Sequence, residues 1–368
     1  MKQLTVKLTD FANGGYSVGK IDGKTVFVRF ALPGETVVAE IIKEKKDFII
    51  AEAKEISESS PHRIEPKCPY YHSCGGCDLQ HVNYEYQLTL KKEVFLKTLN
   101  RLSNLKPENE IEMEPSGKQW NYRKRVQFKC KNGKWGFYKR SSNRFVEISE
   151  CLIADELINE HIKNNRCKYG EIEVDDYGNI NSDEMMLNLN LKHPLFYKKG
   201  AFTQINREVN LKIIDDLKRE VSALNPDKIV EFFCGIGNFT IPLALQGHEI
   251  LAIEYDIKAV SSLKRNIGNF NLNNVSIMRA NLMEQFKIKG YFDLAILDPP
   301  REGAKNVVQK LLRKNIDNII YISCDPATLA RDLKILSKKY RLIKSKLYDM
   351  FPQTHHIESM NILKLNKE

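Results

Sequence analysis

The sequence predicts an α/β multidomain chain: a small N-terminal β-barrel over residues 1–56, a central α+β domain over 57–200, and a C-terminal doubly wound domain over 201–368. Three observations carry this reading. Short strand-like runs crowd the first 56 residues, a cysteine-rich loop opens the middle, and from about residue 203 apolar runs alternate regularly with helical segments. At 368 residues the chain suits two or three domains.

The barrel comes first. Leu4-Thr5-Val6-Lys7-Leu8 alternates, Gly14-Gly15 turns, and runs follow at Ser17 to Ile21, Thr25 to Phe30, Thr36 to Ile42 and Phe48 to Ala53. Five short strands at such spacing suit a small closed sheet. The pattern resembles the TRAM domain, an OB-like module, and that resemblance implies RNA binding.

The middle of the chain carries the charge. Net charge is +10, and Lys118 to Arg144 alone holds ten basic residues and no acidic one. Such a block offers counterion release to a polyanion. Trp120, Tyr122, Phe128, Trp135, Phe137 and Tyr138 lie within it. Aromatic faces among cations suit unpaired bases, so nucleic-acid contact is favoured over a solvated basic face, although some of these rings must be core. Between residues 66 and 81 lies a cysteine-rich loop, and Tyr84 to Leu102 reads as one amphipathic helix, expected to pack on the catalytic domain. Cys68, Cys74 and Cys77 are spaced C-x5-C-x2-C around Gly75-Gly76, and Cys151 completes four thiols. Four thiolates suit an iron–sulfur cluster or tetrahedral zinc, and the spacing alone leaves both open. Disulfides are rare in the cytoplasm, where the chain is expected to work, so its eight cysteines point to metal or catalysis. Cys130, Cys167 and Cys234 are read as small buried hydrophobes. No run of apolar residues is long enough to span a membrane, and the N-terminus lacks a secretory signal core.

Apolar runs at Ile229–Phe232, Ile250–Ile253, Val275–Met278, Leu294–Leu297 and Ile319–Ile322 define a mostly parallel sheet. The first ends in Phe233-Cys234-Gly235-Ile236-Gly237-Asn238, a turn whose glycines let backbone approach a ligand. Glu254 ends the second run, placed to accept ribose hydroxyls, and Asn281 follows the third, placed to meet an adenine edge. A nicotinamide dinucleotide fits the same geometry. It wants a third small residue where Thr240 stands and a pyrophosphate to cradle, so S-adenosylmethionine is favoured.

The fourth run ends Asp298-Pro299-Pro300-Arg301, with the prolines stiffening the loop that holds Asp298 at the ligand edge. The fifth ends Ser323-Cys324-Asp325-Pro326, so Cys324 leaves an apolar strand just before a helix. Amides of that helix are expected to lower its pKa and favour the thiolate. Carbon 5 of uracil is a poor nucleophile until a thiolate adds to carbon 6, and a base must then remove the carbon-5 proton. Glu358, in His355-His356-Ile357-Glu358, is the candidate base, with a surface carboxylate as the plain alternative. The two histidines are alternative bases, with shaping the loop or binding RNA the favoured roles.

With Ser323 to Asp332 and the His-His-Ile-Glu segment in view, nearly the whole chain resembles the RNA uracil-5-methyltransferases that carry a TRAM domain and an iron–sulfur cluster. The resemblance implies Cys324 as nucleophile and Glu358 as base. It implies Gln204, Phe233, Asn238, Glu254, Asn281 and Asp298 as the pocket for S-adenosylmethionine and the target base. It also implies a 4Fe–4S cluster on Cys68, Cys74, Cys77 and Cys151. The expected substrate is RNA, with 23S ribosomal RNA favoured over tRNA, and a monomer is expected. Competing classes are a base-amino methyltransferase, which shares Asp-Pro-Pro without needing Cys324, and a non-catalytic RNA-binding scaffold.

Overall fold

The structure is a computed structural model that describes residues 2–103, 105–140, 142–168 and 170–366. The first five strands, β1 (Gln3–Ala12), β2 (Tyr16–Ile21), β3 (Lys24–Arg29), β4 (Thr36–Glu44) and β5 (Phe48–Glu58), close into a barrel in the order β1-β2-β3-β5-β4. Alternate residues point inward, so Val6, Leu8, Val26, Val28, Val37, Ala39, Ile49 and Ala51 form its core.

Helix α1 (Tyr84–Ser103) and the short strand β6 (Glu112–Glu114) follow. The central unit comprises β7 (Arg125–Gln127), β8 (Lys129–Lys131), β9 (Lys134–Tyr138), β10 (Phe145–Glu147), α2 (Glu156–Asn164) and β11 (Glu171–Glu173). A hairpin of β12 (Glu184–Leu187) and β13 (Leu195–Lys198) leads into α3 (Arg207–Leu224). The remaining elements alternate: β14 (Lys228–Phe232), α4 (Thr240–Ala244), β15 (Glu249–Glu254), α5 (Ile257–Asn269), β16 (Val275–Arg279), β17 (Leu294–Leu297), α6 (Lys305–Lys314), β18 (Asn318–Ser323), α7 (Pro326–Leu336), β19 (Tyr340–Tyr348) and β20 (Glu358–Leu365).

The large sheet runs β16-β15-β14-β17-β18-β20-β19-β6. Its first five strands are parallel, and β20 enters antiparallel between β18 and β19. Neighbouring residues of each strand face opposite cores. Val230, Ala295 and Ile319 pack with α1, α6 and α7, whereas Ile229, Ile296 and Ile320 pack with α3, α5 and the β12–β13 hairpin. Cores therefore divide the chain differently from a partition at residues 57 and 200. Helix α1 and β6 complete the large sheet's layers, and the central unit's own core is confined to residues such as Val126, Phe128, Ile158 and Ile172.

Two expectations about side chains in the central unit change. Cys130 and Cys167 are joined in a disulfide, and Cys130, on the short hairpin strand β8, is exposed rather than a buried hydrophobe. Cys234 is buried, as read from the sequence. Among the aromatics of the basic block, Tyr122, Phe128 and Trp135 are core, while Tyr138 is 44% exposed. Among the described residues no helix is long and apolar enough to cross a membrane.

Candidate active site at the carboxyl edge of the sheet

The parallel strands deliver their last residues to one edge, and β20, running the other way, begins there. In the β18–β20 ladder Ser323 pairs with Ser359, so the next position of the same register sets Cys324 opposite Glu358. Directly opposed residues in an antiparallel pair stand roughly 4.5–5.5 Å apart at Cβ. Asp298 follows Leu297, whose strand neighbours β18 on the other side. Three chemically active side chains thus come from the tips of three adjacent strands.

All three line a cavity of about 520 Å³, together with Gln204, Phe233, Gly235 and Glu254. That volume lies in the range of small-molecule sites. Phe233 occupies a left-handed backbone conformation (φ 62°), rare for an aromatic residue and a sign of a turn held by its surroundings. Gly237 (φ 96°) seats the turn on α5, since a Cβ there would stand 2.7 Å from Leu263 Cδ1. Beneath the turn, the buried Glu231 accepts a 2.6 Å hydrogen bond from Thr240 Oγ1, and burial pushes its carboxyl up to about 8.

Glu254 is already engaged. Its Oε2 accepts Gly235 N–H at 3.0 Å, and its Oε1 accepts the amides of Tyr255 (2.6 Å) and Asp256 (2.9 Å). A carboxylate has about four acceptor sites, so room for a hydroxyl remains. Gln204 Nε2 donates to Asp298 Oδ2 at 3.5 Å. Asn238 sits beside a small side cavity of about 30 Å³ and is paired reciprocally with Asn210 at 2.8 and 2.9 Å. Asn281 is not brought into the lining. It follows the edge strand β16, and its carboxamide oxygen accepts the Met283 amide at 3.1 Å.

Electrostatics at the strand tips run against the thiolate expected from the sequence. Burial pushes the Cys324 thiol up to about 12, and the neighbouring Glu358 and Asp298 charges add to this while Arg301 opposes it. Helix amides do not rescue the anion, because Asp325 caps α7 and takes Ala327 N–H and Thr328 N–H itself. Burial raises Asp298 to about 7, against the Gln204 hydrogen bond. Burial, then the Asp298 charge, raises Glu358 well above the carboxylate range, and its Oε1 is buried with no hydrogen-bond partner among the described residues. Two carboxyls forced toward the neutral form beside a thiol make a proton-handling cluster.

Arg123, Phe202, Arg301 and Phe351, to which the sequence reading gave no site role, also line the cavity, as does His356. Arg301 follows the Asp-Pro-Pro motif directly, so its position was the available signal. Burial holds His356 down to about 3, so it is neutral and its Nε2 accepts from the Arg301 guanidinium at 3.3 Å.

A second cavity, of about 230 Å³, lies behind this wall and shares Arg123 and His356 with it. Cys68, Cys74, Cys77 and Cys151 all line it. Gln80 Oε1 accepts Cys68 N–H at 3.1 Å, and Asn159 clasps the Cys151 backbone through both its N–H and C=O. Burial raises all four thiols, Cys74 to about 12, and neighbouring thiols add to it in each of Cys74, Cys77 and Cys151. Among the described residues no three His, Cys, Asp or Glu side chains converge on one point where a single ion could sit.

Comparison with known proteins agrees with this geometry. Residues 179–366 match the family described as tRNA (Uracil-5-)-methyltransferase, and residues 2–54 match the TRAM domain. An RNA methyltransferase of Aquifex aeolicus with no assigned target is 36% identical over 99% of this chain and 100% of its own. The chain belongs to the RNA uracil-5-methyltransferase family. The 23S rRNA (uracil(1939)-C(5))-methyltransferase RlmD of Haemophilus parainfluenzae is 31% identical, covering 98% of this chain and 96% of its own. In fold, the methyltransferase resembles the Pyrococcus abyssi tRNA (uracil-54, C5)-methyltransferase, solved with S-adenosyl-L-homocysteine, with a TM-score of 0.76, 24% identity and 98% and 100% coverage. The barrel expected from the first 56 residues is thus a TRAM domain, and the strand-tip cavity belongs to a methyltransferase.

Proposed function

We propose that the chain methylates carbon 5 of a uridine in 23S ribosomal RNA, with Cys324 as covalent nucleophile and Glu358 as base. The observation that carries this reading is the meeting of Asp298, Cys324 and Glu358 in one cavity at the tips of three adjacent strands. S-adenosylmethionine, bound against Phe233, Gly235 and Glu254, would supply an electrophilic methyl on a cationic sulfonium. A cation in the cavity favours the ionised forms of Cys324, Asp298 and Glu358, reversing what burial does in the free protein. The Cys324 sulfur bonds to carbon 6, and the electrons of the 5,6 double bond move to carbon 5. Carbon 5 takes the methyl group, Glu358 takes the carbon-5 proton, and the returning electrons expel the thiolate. Asp298 and Gln204 are positioned to hold the base edge or the donor's amino acid end.

The base must leave its stack to reach the cavity. A wide groove of about 620 Å³, lined by Lys129, Tyr138, Lys139 and Arg140 beside Gly75 and Gly76, suits the flanking strand. Lys129 Nζ lies 5.8 Å from the Tyr138 ring centroid, so cation and stacking face are presented together. The preference for 23S ribosomal RNA rests on the relatives named for it.

RNA carrying 5-fluorouridine tests this reading, since fluorine cannot leave carbon 5 as a proton does. Incubated with S-adenosylmethionine, the protein is expected to remain attached to substituted 23S ribosomal RNA under denaturing conditions. Capture of tRNA alone would move the substrate to tRNA, and capture of neither would remove the covalent mechanism.

We further infer that Cys68, Cys74, Cys77 and Cys151 hold a 4Fe–4S cluster that ties the cysteine loop to the central unit. The four thiols line one cavity, and the C-x5-C-x2-C spacing with Cys151 as fourth thiol suits an iron–sulfur centre. Protein purified without oxygen is expected to carry roughly four irons and as many sulfides per chain, and Cys77→Ser is expected to lose them. One zinc per chain in place of iron would overturn this assignment.

A further inference from the structure

Asp78, directly after Cys77, is 6% exposed and touches three other parts of the molecule. Its Oδ2 lies 2.6 Å from His355 Nδ1 and 3.4 Å from the His355 amide, both of which donate to it. Its Oδ1 is ion-paired with Arg140, beyond the end of β9. The barrel presses on the same pair: a Cβ added to Gly15 would stand 2.9 Å from Asp78 Cβ and 3.5 Å from His355 Cβ. The backbone is fastened too, since Asp78 N–H and Leu79 N–H both donate to Gln353 O at 3.0 Å. Helix α1 holds the far side of that loop, through Gln87 with Gln353 and through the buried pair Lys91–Asp349.

The segment so fastened, residues 349–357, leads straight into Glu358. It carries Phe351 and His356 into the catalytic cavity, and His356 also lines the cysteine cavity. Among the described residues nothing bonds Glu358 Oε1 to fix its direction. Its aim therefore depends on the backbone that enters β20 and on the packing around the buried side chain. A shift of about 1 Å in a proton-transferring group costs on the order of 100-fold in rate.

We propose that Asp78 is a positioning residue for the base step: through His355 it holds the 349–357 segment so that Glu358 faces carbon 5 of the captured base. The proposal rests on the covalent reading above and adds to it a physical link from the cysteine loop to the elimination half of the reaction. Loss of the link slows proton removal after the methyl has been transferred, while RNA and donor still bind.

The test uses the full-length protein, unmodified 23S ribosomal RNA transcribed in vitro, and the variants Asp78→Ala, His355→Ala and His355→Asn. Turnover, KM and the fraction of protein attached to RNA under denaturing conditions are measured, with iron content and melting temperature alongside. Both alanine variants are expected to lose roughly tenfold or more in kcat, to keep KM within about twofold, and to accumulate attached RNA containing ordinary uridine. His355→Asn places an amide N–H where Nδ1–H stood and is expected to recover most of the turnover. Unchanged kcat in the alanine variants, a change in KM alone, or an asparagine variant no better than alanine would overturn the proposal. So would loss of iron in parallel with loss of activity, which would assign Asp78 to folding of the cysteine loop. Should Asp78→Ala not fold, the His355 pair decides by the same criteria. Wild-type protein with 5-fluorouridine RNA separates the two levels. No capture there removes the covalent mechanism and this proposal with it, whereas capture by wild type with normal turnover in the variants removes the proposal alone.

Discussion

Replacing Cys324 with Ala is expected to lower methyl transfer by at least about 10⁴-fold and to abolish capture of 5-fluorouridine RNA. Among the described residues at the strand tips the other groups are carboxyls and a guanidinium, weaker nucleophiles toward carbon 6 than a thiolate. Binding of the methyl donor is expected to persist, since Phe233, Gly235 and Glu254 lie on the other side of the cavity from the β18–β20 ladder. Melting should move little, the side chain being only half-buried at a strand tip. Transfer from radiolabelled donor and equilibrium binding of S-adenosylmethionine measure the two effects. Residual turnover within tenfold of wild type would remove the covalent mechanism and favour methylation of a base amino group. The pH dependence has a definite sign. The reactive form is the thiolate, and burial with two neighbouring carboxylates holds the thiol up at about 12. Addition to RNA without the methyl donor should therefore accelerate as pH rises above neutral, and the profile should move to lower pH once the cationic donor is present.

Glu358→Gln is expected to stop the reaction later. The amide matches the carboxyl in shape but cannot take a proton, and a positioned base is worth about 10²–10⁴-fold. Addition and methyl transfer precede the lost step, so methylated RNA should stay attached to the protein even with ordinary uridine. Denaturing electrophoresis with labelled donor reads this directly, and free methylated RNA at the wild-type rate would exclude Glu358 as the base. Cys324→Ala yields no attached product and Glu358→Gln an excess of it, so the two variants bracket the chemistry from opposite sides. The same contrast keeps the Asp78 variants interpretable, since their partial accumulation should resemble Glu358→Gln and never Cys324→Ala.

Much of the fold was legible because it is written in local pattern. Period-two alternation in residues 3–58 gives the barrel strands, and five apolar runs bounded by glycine, proline and acidic residues give the parallel strands. Gly235, Glu254, Asp298 and Cys324 were legible for the same reason, since each stands at the end of such a run. Asn281 follows β16, the edge strand of the sheet, and is absent from the cavity lining. The Cys130–Cys167 pair, 37 residues apart, carried no local signal at all.

By itself, then, the sequence determined which segments become strands and which reactive residues end them, because backbone geometry and side-chain periodicity act over a few residues. Tertiary structure alone decided the antiparallel entry of β20 that brings Glu358 opposite Cys324, the wall shared by the two cavities, and the clamp from Asp78 to His355. It also decided the protonation of the site. A pKa is a sum over burial and charges contributed by distant segments, so the thiol that local reasoning expected to be acidic is held protonated, first by burial and then by the carboxyls of two other strands.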